Sequence, residues 1–114
     1  MNFKKKYSLE ERQTESNKVL NKYSDRIPII VEKSSESKIS DIDKIKFLVP
    51  KDLTMGQFAF VIRKRIKLTP EQGLFLLVNN SMVPTSEIMN NIYNNYKDED
   101  GFLYVTYCGE NTFG

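Results

Sequence analysis

The sequence predicts a single domain of the α+β class. Short runs of β-branched and apolar residues, which are typical of strands, are separated by segments whose apolar residues recur at helical spacing. Several of the helical segments begin with serine or threonine followed three residues later by glutamate or glutamine, a pattern that caps helices. At 114 residues, the chain is long enough to bury one hydrophobic core.

The first 24 residues predict helices that are added to a core domain. Ser8 and Glu11 form a capping box, which opens a helix to about Lys22. A short basic stretch precedes this helix, and together they predict two extra N-terminal helices. The long helix is mostly polar, so it is expected to pack on a folded core through a narrow apolar stripe. The residues of that stripe are Leu9, Val19, Leu20 and Tyr23.

Two strands and a helix follow. Residues 27–33 predict a strand, and Pro28 indicates its start or a locally unpaired position, because proline cannot donate to a ladder. Residues 46–50 predict a second strand. Thr54 and Gln57 form another capping box, which opens a helix to about residue 67. The apolar positions with helical spacing are Met55, Ala59, Ile62 and Ile66.

The second half of the chain predicts further strands around one more helix. Residues 69–72 predict a short turn of helix, and the apolar run at 74–78 predicts a buried central strand. Asn79 and Asn80 predict a turn into a short strand at 81–83. The remaining elements are a helix capped by Thr85 or Ser86 with Ile88, Met89, Ile92, Tyr93 and Tyr96 on one side, a charged turn at 97–101, and a last strand at 102–108.

This order of elements is typical of the ubiquitin-like β-grasp fold, here with two extra N-terminal helices. We therefore expect an N-terminal helical extension at 1–24, a ubiquitin-like core at 25–110, and a flexible C-terminal conjugation tail at 111–114. The terminal Gly114 has no side chain beside its carboxylate, so narrow active sites can admit it. That is what a modifier joined through its own C-terminus needs, although a chain can also simply end at glycine.

Composition argues against catalysis by this chain. There is no histidine and only one cysteine, which removes serine–histidine, cysteine–histidine and typical zinc chemistry. We expect no catalytic residue, no metal and no cofactor. The first 67 residues hold 16 Lys and Arg against 9 Asp and Glu, which favours a basic face for an acidic partner or surface. Without an apolar run of membrane-spanning length, the chain is expected to be cytoplasmic.

Several segments of the sequence are distinctive in their order. They are residues 22–33 (KYSDRIPIIVEK), 47–50 (FLVP), 56–58 (GQF), 62–66 (IRKRI), 77–80 (LVNN) and 98–104 (DEDGFLY). With these segments the chain resembles a known family, the autophagy ubiquitin-like modifiers that include GABARAP and the microtubule-associated light-chain proteins. The resemblance covers nearly the whole chain, and the tail is similar to the aromatic–glycine ending of that family.

The resemblance implies conjugation through Gly114. A cysteine protease would trim any residues beyond Gly114, with Phe113 recognised during processing and activation. A ubiquitin-like activating enzyme and a conjugating enzyme would then join Gly114 to phosphatidylethanolamine, which would place the protein on the autophagosome membrane. The ATP and the catalytic cysteines would belong to those enzymes. The sequence leaves open whether a precursor extends beyond Gly114.

The resemblance further implies capture of aromatic-x-x-aliphatic motifs from cargo receptors and adaptors, by addition of a strand to the sheet edge. Its implied aromatic pocket is lined by Glu15, Val19, Pro28, Ile30, Lys46, Leu48 and Phe102. Its implied aliphatic pocket is lined by Phe47, Val49, Pro50, Leu53, Phe58 and Val61. Acidic residues flanking the motif would meet Arg26, Lys44 and Arg65. Strand alternation agrees with two pockets, since Lys46 and Leu48 face one way and Phe47 and Val49 the other.

Other hypotheses compete with this one. For Phe47, Leu48 and Phe58, the residues alone favour plain core packing. The basic helix around residues 63–67 could contact nucleic-acid phosphates, but its adjacent cations point in different directions and no aromatic stacking motif accompanies them. A modifier joined to protein lysines, or an unconjugated peptide-binding adaptor, also fits the chain. An enzyme would depend on Cys108, which lies in an apolar run and is better explained as a buried hydrophobe.

Overall fold

The structure is a computed structural model that describes residues 2–109. A five-stranded mixed sheet has the strand order β2-β1-β5-β3-β4. Its strands are β1 (Arg26–Lys33), β2 (Lys46–Pro50), β3 (Phe75–Val78), β4 (Ser81–Met82) and β5 (Leu103–Cys108). The helices are α1 (Phe3–Lys6), α2 (Leu9–Lys22), α3 (Met55–Ile66) and α4 (Met89–Tyr96). The predicted ubiquitin-like β-grasp with two extra N-terminal helices is confirmed.

The strand pairing places β2 at one edge of the sheet. The central pair, β1 and β5, is parallel, while β1–β2, β3–β5 and β3–β4 are antiparallel. The predicted central strand at 74–78 corresponds to β3, but β3 lies between β5 and β4, and the centre of the sheet is β5. Asn79 and Asn80 have φ of 51° and 62°, as a two-residue hairpin turn between β3 and β4 requires.

Alternation along β1 divides the apolar residues between two faces of the sheet. Ile27, Ile29 and Val31 enter the main core, which α3 and α4 cover. Ile30, on the opposite face, joins a smaller cluster beneath the N-terminal helices. The other fully enclosed members of that smaller cluster are Phe3 and Phe102, with Tyr7, Ile45 and Tyr104 at its margin. The first helix, α1, therefore has a hydrophobic contact separate from the main core.

Two of the predicted helix starts are confirmed. Ser8 accepts a hydrogen bond from the Glu11 amide, and Glu11 accepts one from the Ser8 amide. Thr54 and Gln57 make the same reciprocal pair at α3. These boxes satisfy amides that have no partner within the helix, and so they fix where each helix begins.

The predicted cap of α4 is wrong. The helix begins at Met89, and neither Thr85 nor Ser86 caps it. The segment before it instead pairs with the start of α3: the carbonyls of Thr85 and Glu87 accept hydrogen bonds from the amides of Gly56 and Met55. Those long-range bonds accompany a turn at Thr85 and Ser86, and Ile88 itself is still extended, so the helix starts later than its apolar pattern suggests.

Two smaller predictions also need correction. Residues 69–72 form a turn in which the Gln72 amide donates to the Thr69 carbonyl, and no helical segment is present there. The apolar stripe expected on α2 is weak, because Leu9 and Tyr23 are 37% and 40% exposed. The buried residues of α2 are polar instead, namely Arg12 and Ser16.

Candidate functional site at the edge of the sheet

The outer edge of β2 has no strand partner among residues 2–109. On the inner side, the Ile45 carbonyl accepts a hydrogen bond from the Val31 amide and the Lys51 amide donates to Asp25. Backbone groups alternate in direction along an antiparallel strand, so those of Lys46 and Leu48 face outward. The edge can therefore form backbone hydrogen bonds with an extended peptide.

The proline in β1 fits this arrangement. Pro28 stands opposite Leu48 in the register of β1 and β2. The backbone groups of Leu48 face outward and make no hydrogen bonds with β1. The Pro28–Leu48 pair therefore needs no amide hydrogen from Pro28. Pairing of β1 with β5 begins one residue later, at Ile29. Pro28 therefore interrupts no ladder bond, in agreement with its prediction as a locally unpaired position.

On the inner face of the sheet, the residues predicted for an aliphatic pocket divide between core and surface. Phe47 and Phe58 are buried in edge-to-face contact, with ring centroids 5.7 Å apart, and Val49 lies with them in the core. Leu53 and Val61 are partly exposed and line a cleft of about 600 Å³ together with Phe60, Thr54, Gly56, Gln57, Thr85 and Ser86. Pro50 is exposed at the end of β2. Phe58 is 0% exposed and can act only from beneath this surface.

On the outer face, α2 lies beside β1 and supplies one wall of the predicted aromatic pocket. Glu15 and Lys46 form an ion pair across the gap between α2 and β2, with Oε2 and Nζ 2.8 Å apart. Val19 and Leu48 are each half-buried on either side of that gap. Beneath them, the enclosed members of the predicted set are Pro28, Ile30 and Phe102. The structure thus brings residues from four separate segments to one place.

Sequence reasoning missed Phe3 among the enclosed residues beneath the predicted aromatic pocket. Its ring meets Phe102 edge-on at 5.5 Å, and the Lys46 ammonium lies 5.5 Å from the Phe3 ring centroid. The Phe3 amide also donates to the Glu32 carboxylate at 2.7 Å. The available signal was an isolated phenylalanine before three lysines, preceded by Asn2, whose side chain caps α1. Phe60 was also missed; it is 57% exposed and borders the inner cleft.

The three predicted basic contacts differ in how far they already interact with other residues. Arg26 is exposed at the start of β1. The Lys44 ammonium lies 5.1 Å from the Phe47 ring centroid, near the edge of the sheet. Arg65 pairs with Asp43 at 3.1 Å, and both side chains are well exposed, so solvent weakens this pair. An acidic ligand could compete with Asp43 for Arg65 at small cost.

The predicted conjugation residues, Phe113 and Gly114, lie outside the described residues. The last described residue, Gly109, follows β5, and its amide donates to the Ser37 hydroxyl at 3.1 Å. Within 2–109 there is no cluster of His, Cys, Asp and Glu side chains of a kind that holds a metal. None of the helices in this part of the chain is long and apolar enough to cross a membrane.

Comparisons with known proteins agree on one relationship. Residues 11–114 match the family model described as autophagy protein Atg8, ubiquitin-like. The chain is 61% identical over 112 residues to autophagy-related protein 8B of Oryza sativa subsp. indica, a match covering 98% of this chain and 94% of the relative. It is 56% identical to autophagy-related protein 8d of Arabidopsis thaliana, with 98% and 93% covered.

Two solved structures are also similar. Trypanosoma brucei ATG8 aligns with a TM-score of 0.92 and 49% identity, covering 100% of this chain and 98% of that one. Plasmodium falciparum Atg8, solved in complex with a Plasmodium falciparum Atg3 peptide, aligns with a TM-score of 0.89 and 36% identity, covering 96% and 97%.

Proposed function

This chain belongs to the family of Atg8 ubiquitin-like autophagy proteins, and from that premise we propose that it is a lipid-conjugated modifier that also captures short peptide motifs. Proteins of this family are modifiers and adaptors, not enzymes. The proposal has two parts, conjugation of the C-terminus and recruitment of partners at the β2 edge.

The first part is conjugation of Gly114 to phosphatidylethanolamine on autophagosomal membranes. An activating enzyme adenylates the glycine carboxylate, a conjugating enzyme carries it as a thioester, and the lipid amine displaces the thiol. A cysteine protease trims any residues beyond Gly114 and later cleaves the protein from the lipid. We propose that residues 111–114 are the tail that enters these active sites, with Phe113 recognised beside Gly114. The Plasmodium relative was solved with an Atg3 peptide, which supports a conjugating enzyme as partner.

The second part is recruitment of cargo receptors and adaptors through aromatic-x-x-aliphatic motifs. The observation that carries it is the open edge of β2, which has a cleft beside Leu53 and Val61 on one face and the Glu15–Lys46 ion pair on the other. A peptide strand added there would pair with the backbone of Lys46 and Leu48, and alternate side chains would enter the two pockets. The aromatic side chain would insert between α2 and β2, and the aliphatic one would occupy the cleft beside Leu53 and Val61. Exposed Arg26 and Lys44 would attract acidic flanks.

Reconstitution tests the conjugation. The protein is mixed with activating and conjugating enzymes, ATP and liposomes containing phosphatidylethanolamine, and its intact mass is recorded. We expect a lipid-sized increment that is lost when Gly114 is deleted, while the fold is kept because the deletion lies outside the described core. A family member known to accept lipid serves as the enzyme control.

The outcomes separate the alternatives. An adduct that survives deletion of Gly114 would refute conjugation at this residue. Transfer to protein lysines instead of lipid would favour a protein modifier like ubiquitin. If active enzymes form no adduct, the chain would be an unconjugated peptide-binding adaptor.

A further inference from the structure

The loop at residues 97–101, which joins α4 to β5, holds the N-terminal helices against the sheet. Arg12 Nε lies 3.2 Å from Asp100 Oδ2, and the Ser16 hydroxyl donates to the Asp100 carbonyl at 2.5 Å. Arg12 and Asp100 are only 8% and 1% exposed. Arg12 Nε and Nη1 have no aligned hydrogen-bond partner within residues 2–109, so charge attraction is what joins the pair.

The Asp100 carboxylate is itself held in place by Phe102 and by Tyr104 of β5. Its Oδ1 accepts a hydrogen bond from the Phe102 amide at 2.8 Å, and its Oδ2 accepts one from the Tyr104 hydroxyl at 2.5 Å. Burial and the neighbouring carboxylate raise the pKa of Tyr104, which keeps this hydroxyl protonated as a donor. The Asp100 side chain is therefore a fixed point to which α2 attaches.

The same loop makes weaker contacts with both helices. Asp98 pairs with Lys4 of α1 at 2.5 Å, and the Glu99 carbonyl accepts a hydrogen bond from Gln13 of α2 at 3.2 Å. Leu9 at the start of α2 and Tyr23 just after its end are more than a third exposed, so these two side chains hold the helix only weakly. The buried residues of α2 are Arg12 and Ser16, and their polar contacts are therefore the main constraint on its position.

The residues that anchor α2 and the residues that line the candidate aromatic pocket share one face of the helix. Arg12, Glu15, Ser16 and Val19 follow the spacing i, i+3, i+4, i+7, which places them in a single stripe. Arg12 and Ser16 contact the 97–101 loop, while Glu15 reaches Lys46 across the pocket. A rotation or shift of α2 at its anchor would therefore move Glu15 and Val19 relative to β2.

We propose that Arg12 and Asp100 are positioning residues for the aromatic pocket. They touch no bound peptide; they set the distance between α2 and β2 at which an aromatic side chain is accepted. The inference rests on the proposed peptide binding. It predicts that loss of the Arg12–Asp100 pair weakens the binding of peptides that carry the aromatic residue and leaves the binding of peptides without it nearly unchanged. An ion pair that only stabilised the fold would not distinguish the two kinds of peptide.

The test combines Arg12→Met with two synthetic peptides, measured by titration calorimetry. One peptide carries tryptophan at the aromatic position of the motif, and the other carries alanine there. We expect Arg12→Met to weaken the tryptophan peptide about tenfold, a typical size for coupling between interacting groups, and to change the alanine peptide less than about twofold. Arg12→Lys, which keeps the charge but not the guanidinium geometry, is expected to fall between.

Lys33→Met is the matched control, because it also removes one cation and one ion pair, the 2.9 Å contact with Asp41, away from the groove. We expect it to change neither peptide by more than about twofold. Tyr104→Phe is a milder second variant, which removes one hydrogen bond to Asp100 and keeps the ring. It is expected to weaken only the tryptophan peptide, by about threefold, and it keeps the test valid if Arg12→Met does not fold.

The results would separate this inference from the proposed function. Equal weakening of both peptides, or lowered stability with unchanged affinities, would overturn the positioning role while peptide binding stands. A wild-type protein that shows no preference for the tryptophan peptide would overturn the proposed motif capture, and the positioning role with it.

Discussion

Gly101 offers a direct measure of how closely α2 approaches the 97–101 loop. Its φ is +90°, a conformation that residues with a side chain rarely adopt. A Cβ atom built on Gly101 would lie 2.4 Å from the Ser16 hydroxyl oxygen and 3.0 Å from the Ser16 Cβ. Gly101→Ala must therefore strain the loop and push Ser16, on the buried face of α2, away from it.

The expected cost has two parts. Forcing alanine into this backbone conformation costs about 1–3 kcal/mol. Displacing Ser16 breaks its buried hydrogen bond to the Asp100 carbonyl, which costs about 1 kcal/mol more. Together the free energy of unfolding should fall by about 2–4 kcal/mol, a large share of the 5–15 kcal/mol typical of a domain. The protein should still fold, because the main core is untouched.

Urea denaturation followed by circular dichroism measures this change. Gly73→Ala is the matched control. Its Cβ would lie 3.2 Å from the Phe75 ring and 3.7 Å from the Gly109 carbonyl oxygen, and its φ is not positive, so a loss below about 1 kcal/mol is expected. Adding Ser16→Ala to Gly101→Ala removes the closest clash, so the double variant should lose about 1 kcal/mol less than the sum of the two single losses. A Gly101→Ala protein whose free energy of unfolding is within about 0.5 kcal/mol of wild type, as for a surface substitution, would refute the close approach. A double variant whose loss equals the sum of the two single losses would refute it as well.

Two further predictions concern binding and pH. Leu48→Ala should weaken motif-peptide binding by about 1–3 kcal/mol in fluorescence anisotropy, because it truncates a half-buried anchor. Met82→Ala, on the opposite edge strand, is the control. Unchanged titrations for Leu48→Ala would remove this residue from the pocket. Burial and Asp100 raise the pKa of Tyr104, so its contribution to stability is complete below about pH 10 and is lost as the pH rises further. Tyr104→Phe should therefore lose stability less steeply above pH 10 than wild type in urea titrations, and equal slopes would contradict this assignment.

Local interactions explain which parts of the fold were predictable from sequence. The capping boxes at Ser8 and Thr54 satisfy amides within the same turn, so nearby residues alone determine the helix starts. The pattern of β2 was equally informative, because Phe47 and Val49 enter the core while Lys46 faces solvent, as alternation predicts.

Long-range contacts explain what sequence reasoning missed. The start of α4 is delayed by backbone bonds to α3, and no pattern within residues 84–88 indicates that pairing. Arg12 is buried only because Asp100, 88 positions later, supplies an opposite charge. A polar residue on a polar helix gives no local sign of burial, so the apolar stripe was predicted in its place.

The sequence predicted which residues belong to the candidate site better than it predicted which of them a ligand can reach. The family resemblance named the members on both faces of β2, and the structure separates those that a ligand could touch from those beneath. Leu53 and Val61 border an open cleft, whereas Phe58 is enclosed. Phe3 could not be assigned beforehand, since its role depends on where α1 lies on the sheet.

The open edge of β2 also affects how copies of this protein meet one another. An unpaired strand edge is a template for any extended chain, including the same strand of a second molecule. Lys44, Lys46 and Lys51 are exposed at and beside this edge, so two such edges would bring like charges together. An acidic motif meets the same cations with the opposite sign. The lysines thus discourage self-association at the surface that favours a foreign strand, and they let a sheet edge remain open without becoming a site of aggregation.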